Sequence, residues 1–566
     1  MISHLKRKIG QVASDSVLRK WLIGRVLLQQ KGPMAFTPHQ PPYVNYLLPL
    51  GLEAPEWDIP SSGLAADIPK RPMSLELLGI SVSIDPEYPE AFFDVSTGDI
   101  EVELAQHRFA WIPLTSTLDP TWLNALWQAW RARYMDTEGW AWHPYTAAER
   151  AVNLLDAVRR CGMPGDIRIF AEDLARHAPK IAHQLEFFGD HDTSNHLANN
   201  GRGLYRLGCA LRMPRAQELG FKILCHEAER IILEGSSLRE GSTHYHMLYV
   251  RNYLDVWLAA HRHGHTQEAA RLRDIAKRLL TVAKSIVLPG GLPLIGDISP
   301  DCPPAYLEGI EIGTCPWTQT LSHDEQGLVQ TLAAETRPVA SEHLQRDGWV
   351  RADFGRWSIL APATPNGWPF MPGHAHQDIS SAEIHINGQP LFVDPGRGAY
   401  GETGEAAQYK SAAVHGGLRV DQQDPYPANK PYYNDVFRQA VAGLASSEIS
   451  SKSVTVTHGG YQRLGIETTR RTWTFKNDVL SITDTVQGHG HHALERALVT
   501  PHDVKTKGDK VIINNTFIVT ASDARPSITP IKIWHAYGCS THGSRIVFEH
   551  SVSQSWTGMI TVEVMR

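Results

Sequence analysis

Apolar and polar residues alternate in two different rhythms along this chain, and the change falls near residue 340. Before it, apolar positions recur at helical spacing: 122–134, 149–158, 210–233, 245–258 and 269–286 each carry a stripe of period 3.6. Short loops bearing Gly or Pro separate these segments, as in helical hairpins. After residue 340 the period shortens to two. Residues 357–361, 453–457, 472–475, 480–484, 510–513 and 517–520 read as strands between turn residues. Helices first and strands second predict an α+β chain of two or more domains. The expected division is an N-terminal extension over 1–100 packed on the helical body, a helical domain over 101–338 and a strand domain over 339–566. The extension is poorly patterned and Pro-rich at 37–42 and 58–72. Its first 34 residues read as a basic amphipathic helix on the protein surface.

One stretch in the strand region stands apart. Residues 373–396 begin Gly-His-Ala-His-Gln-Asp and end Val-Asp-Pro-Gly. In an extended segment, residues two apart point to one side, so His374 and His376 would face one site. Alternation over 380–386 predicts a half-exposed strand, a Gly-Gln-Pro turn follows, and a second strand over 391–393 returns Asp394 to the same neighbourhood. His415, just before another strand-like run, supplies a third imidazole. Two imidazoles and a carboxylate are ligand types that zinc takes, and a neutral imidazole is a usable base near neutral pH. With 28 histidines in the chain, a chance His-x-His pair is the competing explanation.

Composition narrows the function classes. The 566 residues exceed one ordinary core. A hydrophobic content of 42% with 20% charged residues describes a globular protein, and a net charge of −6 supplies no basic field for nucleic acid. The six cysteines form no CxxC pair and no disulfide framework; they read as reduced core thiols, with Cys302 and Cys315 the one pair that could close a loop. No apolar run has the length of a transmembrane helix or a signal h-region. The expected location is therefore cytoplasmic, or periplasmic where a signal has been removed. Association with further copies of the chain is left open.

The ordered motifs resemble the heparinase II/III-like polysaccharide lyases, which include oligoalginate lyases. Gly-His-Ala-His-Gln-Asp, Val-Asp-Pro-Gly and the segment around His415 carry the resemblance in the strand region. Upstream, Ser194 to Arg202 is similar to the family's Asn-His-Leu segment, and Glu240 to His246 to its Glu-x-Ser-x-x-Tyr-His segment. Trp142 to Tyr145 and Arg150 to Asn153 are similar to its early helical signature. The resemblance implies an incomplete α/α toroid followed by an antiparallel β-sandwich. It implies catalytic roles for Asn195, Tyr245 and His374, and a structural Zn2+ held by His376, Asp394 and His415.

The residue types suit β-elimination from a uronic acid. The substrate carboxylate must be neutralised, the C5 proton removed, and the leaving oxygen protonated. Asn195 donates to a carboxylate without adding a titrating charge, with His196 assisting. Tyr245 transfers a proton if a neighbour lowers its pKa, and His374 is the second proton-transfer candidate. Glu240, Arg202, Tyr249 and Arg397 are candidate substrate contacts, with Arg419 a further carboxylate binder, and Asp378 is expected behind the metal ligands. The partner is then an anionic polysaccharide or oligosaccharide. Two alternatives remain. A glycoside hydrolase on the same fold would draw two carboxylates from Glu240, Asp378 and Asp192. A non-catalytic glycan-binding or assembly protein would use the cleft without turnover.

Overall fold

A computed structural model describes residues 10, 12–26, 51–57, 68–188, 193–371, 373–428, 433 and 435–565. Asp192 lies outside the described residues.

Helices fill the first half as an incomplete α/α toroid. Pro120–Tyr134 and Pro144–Cys161 begin on Pro, whose fixed φ suits the first helical turn. The pairs Asn195–Ala210 with Pro214–Ile231, and Thr243–Arg262 with Thr266–Ile286, are helical hairpins joined by short turns. The first pair packs unusually close. A Cβ on Gly220 would stand 2.4 Å from the backbone nitrogen of Tyr205, so only glycine admits this approach. Side chains cap these helices: Asp119, Ser194 and Ser242 each accept from a backbone N–H of the first turn.

Antiparallel sheets fill the second half: an eight-stranded sheet, and two four-stranded sheets. Apolar side chains of all three meet in one core around Trp357, Trp473, Ile482 and Phe548. The ion pair Arg471–Asp484 is wholly buried (2.6 and 2.9 Å), and Arg471 Nη1 also donates to the carbonyls of Ser380 and Gly416. It thereby ties the eight-stranded sheet to two loops of the site.

Three expectations change. Strand Glu383–Ile386 is buried on both faces, because the helical domain and the sandwich cover it. Alternation of polar and apolar residues there does not mean half-exposure: Glu383 and His385 bond each other inside (2.9 Å). The hairpin turn is Asn387–Gly388, both with positive φ, and Gln389 and Pro390 belong to the next strand. In the extension, hairpin Met73–Leu77 with Ile80–Ile84 packs on the helical core. Helix Ser16–Val26 instead sets Leu18 into the sandwich core, and Asp15 accepts from the Tyr433 hydroxyl there (2.6 Å).

The two halves meet along a seam. Asp347 accepts from the backbone N–H groups of Gly235 and Ser237 (2.9 and 2.8 Å). The loop after helix Thr266–Ile286 crosses to the sandwich, where Asp297 N donates to His374 O and Ile298 N to Arg397 O, both 2.9 Å. The site lies on this seam.

Candidate active site

Asn195 is the first residue of its helix, and Ser194 is the cap. The position aims its amide at the seam. Its backbone N–H donates to Glu240 Oε1 (2.6 Å), its Nδ2 to Glu240 Oε2 (3.2 Å), and the same Nδ2 lies 3.2 Å from His374 Nε2. Glu240 is entirely buried and pins Asn195 from behind. Tyr245, in the first turn of helix Thr243–Arg262, stacks on the His374 ring at 3.7 Å and 11°. Its hydroxyl is 2.7 Å from that of Tyr400, which donates onward to Ile298 O (3.3 Å). Burial, with the Asp301 carboxylate nearby, pushes the Tyr245 phenol well above its ordinary range, against the lowering that base catalysis by a tyrosine needs.

His196, next to Asn195 in the chain, pairs with Glu186 in the helical half. Its Nδ1 is 2.7 Å from Glu186 Oε1, while Asn200 Nδ2 holds the second Glu186 oxygen (3.0 Å). Burial opposes the imidazolium, but Glu186 outweighs it and raises the pKa. Tyr145 packs beside this ring at 4.5 Å and donates to Asp301.

Behind His374, His376 turns to a different environment. Its Nε2 is 2.9 Å from Asp297 Oδ1, and its buried Nδ1 has no hydrogen-bond partner. His415 Nε2 lies 3.2 Å from Tyr409 O, leaving Nδ1 2.8 Å from Asp394 Oδ2. Ligand atoms of His376, Asp394 and His415 all lie within 4.8 Å of one another. All three sit in irregular segments rather than on strands. The trio is buried and can hold a metal. His376 Nδ1 is bare and His415 Nδ1 lies against the Asp394 carboxylate, so two imidazole nitrogens and a carboxylate converge, a donor set that fits a divalent cation. Beside it, burial raises the Asp378 carboxyl to about 7.

The expected substrate contacts are placed otherwise. Arg202 is buried between Glu149 and Asp255 (2.7 and 2.8 Å) inside the toroid. Arg397 is buried against Asp297 and backbone carbonyls. Tyr249 is buried one turn beyond Tyr245, and Glu240 supports Asn195. Arg419 bonds Gln422 O. None of the first four offers a free polar head to a sugar, because the interior already satisfies or encloses it. The carboxylates Glu240 and Asp378 are likewise buried, so neither faces the cleft as a hydrolase acid or base. Sequence reasoning missed Asp297, Asp301, Glu186 and Tyr400. They lie in loops without periodicity, and only the Gly-Asp and Pro-Asp turns around 297 and 301 could have hinted at them.

Residues 336–553 match the family model described as Heparinase II/III-like, C-terminal. No curated protein sequence matches the chain. Among solved structures, a heparinase III superposes with a TM-score of 0.61 at 14% identity, covering 84% of this chain and 79% of that one. A second heparinase III gives 0.56 at 14% identity, covering 84% and 80%. Heparan sulfate lyase HepC from Pedobacter heparinus gives 0.51 at 15% identity, covering 83% and 78%. At these identities the likeness is one of fold.

Proposed function

We infer that this chain, whose residues 336–553 match the heparinase II/III-like C-terminal family model, cleaves a uronate-containing glycan by β-elimination. The observation that carries the reading is the contact between Asn195 Nδ2 and His374 Nε2, with the Tyr245 ring stacked on that imidazole. One Asn195 N–H is held by Glu240; the other is directed at His374. A substrate carboxylate that takes this second N–H neutralises part of its charge and frees the His374 Nε2 lone pair. His374 then removes the C5 proton. Tyr245, a protonated phenol at rest, donates to the departing C4 oxygen. The imidazolium of His196 adds charge to the carboxylate-binding wall. The substrate class is an anionic polysaccharide or oligosaccharide.

His376, Asp394 and His415 would hold a zinc ion. Bound there, zinc would fix three irregular segments next to His374 and serve the fold. The residues that move protons are on the other side of that wall.

Incubation with alginate, heparan-type and other uronic polymers should raise the ultraviolet absorbance of an unsaturated uronate. Tyr245→Phe should lower turnover at least ~10²-fold while substrate still binds. A folded protein that releases reducing ends from these glycans without the absorbance would replace the lyase reading with hydrolysis.

A further inference from the structure

Asp297 belongs to the helical half, but the hydrogen bonds of its carboxylate run across the seam. Its Oδ2 is 3.0 Å from His374 Nδ1 and its Oδ1 is 2.9 Å from His376 Nε2. Arg397 Nη1 bridges both oxygens at 3.0 and 3.1 Å. A carboxylate bridged by a guanidinium only accepts hydrogen bonds, so each imidazole must donate to it. His374 therefore carries its proton on Nδ1 and leaves Nε2 bare toward the Asn195 amide. His376 carries its proton on Nε2 and leaves bare the buried Nδ1 that has no other partner. Opposite tautomers of two histidines follow from one residue.

The backbone holds this carboxylate in place. Asp297 N donates to His374 O (2.9 Å) and Ser242 Oγ donates to Asp297 O (2.7 Å). At Gly296, φ is +84°, and a Cβ would stand 2.8 Å from both Gly241 O and His374 O. The loop can thread between the two domains only without a side chain there.

We propose that Asp297 is a positioning residue that sets both tautomers at once, one imidazole serving the cleft and the other the metal-binding trio. The cleft half rests on the lyase reading given above; the tautomers themselves do not.

The test reads the imidazoles directly. Two-bond proton–nitrogen spectra of the full-length chain labelled with 15N-histidine, assigned with His374→Gln and His376→Gln, report which ring nitrogen is protonated. The expected wild-type result is a bare Nε2 on His374 and a bare or metal-bound Nδ1 on His376. In Asp297→Asn the amide offers one acceptor and one donor, so at least one ring must change tautomer. Turnover or zinc affinity should then fall 10- to 100-fold, roughly the scale for a lost orienting partner. A proton on His374 Nε2 or on His376 Nδ1 in the wild type overturns the proposal, as does an Asp297→Asn spectrum with both tautomers unchanged. If that variant does not fold, the wild-type spectrum decides alone. Tautomers as drawn, without unsaturated product from any uronate glycan, would remove the lyase reading and leave Asp297 in its role. Product together with the opposite tautomers would do the reverse.

Discussion

Tyr245 and His374 lie ring on ring, yet their surroundings treat them oppositely. The phenol is enclosed and faces the Asp301 carboxylate, so it keeps its proton. The imidazole is oriented by Asp297 so that a lone pair meets the Asn195 amide. A division into donor and acceptor follows from placement alone. The metal trio makes its own prediction. Metal analysis of the purified chain should find about one zinc per molecule, and a chelator should lower the melting temperature, because a ligand held only by the native state stabilises it. His376→Ala should bind no zinc and melt at one temperature with or without chelator. A wild-type melting curve that ignores the chelator would sink the zinc assignment. The residues in the sequence motifs were legible because their order along the chain is recognisable. Asp297, Tyr400 and Glu186 were not, because a single carboxylate or phenol in a loop has no spacing to betray it. The candidate sugar contacts failed for a related reason: a long polar side chain reads as exposed, and nothing local shows that Arg202 has Glu149 and Asp255 waiting inside.

Among the elements, two helix glycines of the same type should respond with opposite signs. Gly220→Ala drives a methyl against the Tyr205 backbone, and overpacking of this kind costs about 1–3 kcal/mol. Gly327, inside helix His323–Glu335, has nothing within 4 Å of a Cβ, so Gly327→Ala should stabilise by about 0.4–1 kcal/mol. Denaturant midpoints of the two variants measure this; the same sign for both would contradict the close approach of the paired helices. Five helical stretches and several strands were legible from period, whereas helix Asn195–Ala210, buried nearly all round, shows no stripe to read. The hairpin 383–392 was misread at its turn because Gly-Gln-Pro looks like the stronger breaker. Asn387–Gly388 wins because a two-residue turn of positive φ matches strand twist. Neither the toroid nor the seam could be read from period, which is silent on how elements close around one another.

At the scale of the whole molecule, buried neutral imidazoles govern the response to acid. Burial depresses the pKa of His107, His244 and His458 to about 3 and of His246 to about 4. Burial and the caged Arg150 cation hold His177 well below its usual value. In the unfolded chain these groups titrate near 6.5, so below that pH the unfolded state takes up protons that the native state refuses. Their contribution is complete above about pH 6.5 and is lost as pH falls toward about 3. The melting temperature should drop steadily between about pH 6.5 and pH 4, with net proton uptake on unfolding. A flat profile across that window would contradict neutral burial. The seam has a consequence of another kind. On the proposed assignment, the amide and the phenol are made early in synthesis, and the base is made 179 residues after the amide. A nascent chain that has released only its helices holds two thirds of the chemistry and no proton acceptor. On that assignment, activity would begin only when the later-made sandwich docks against the helices.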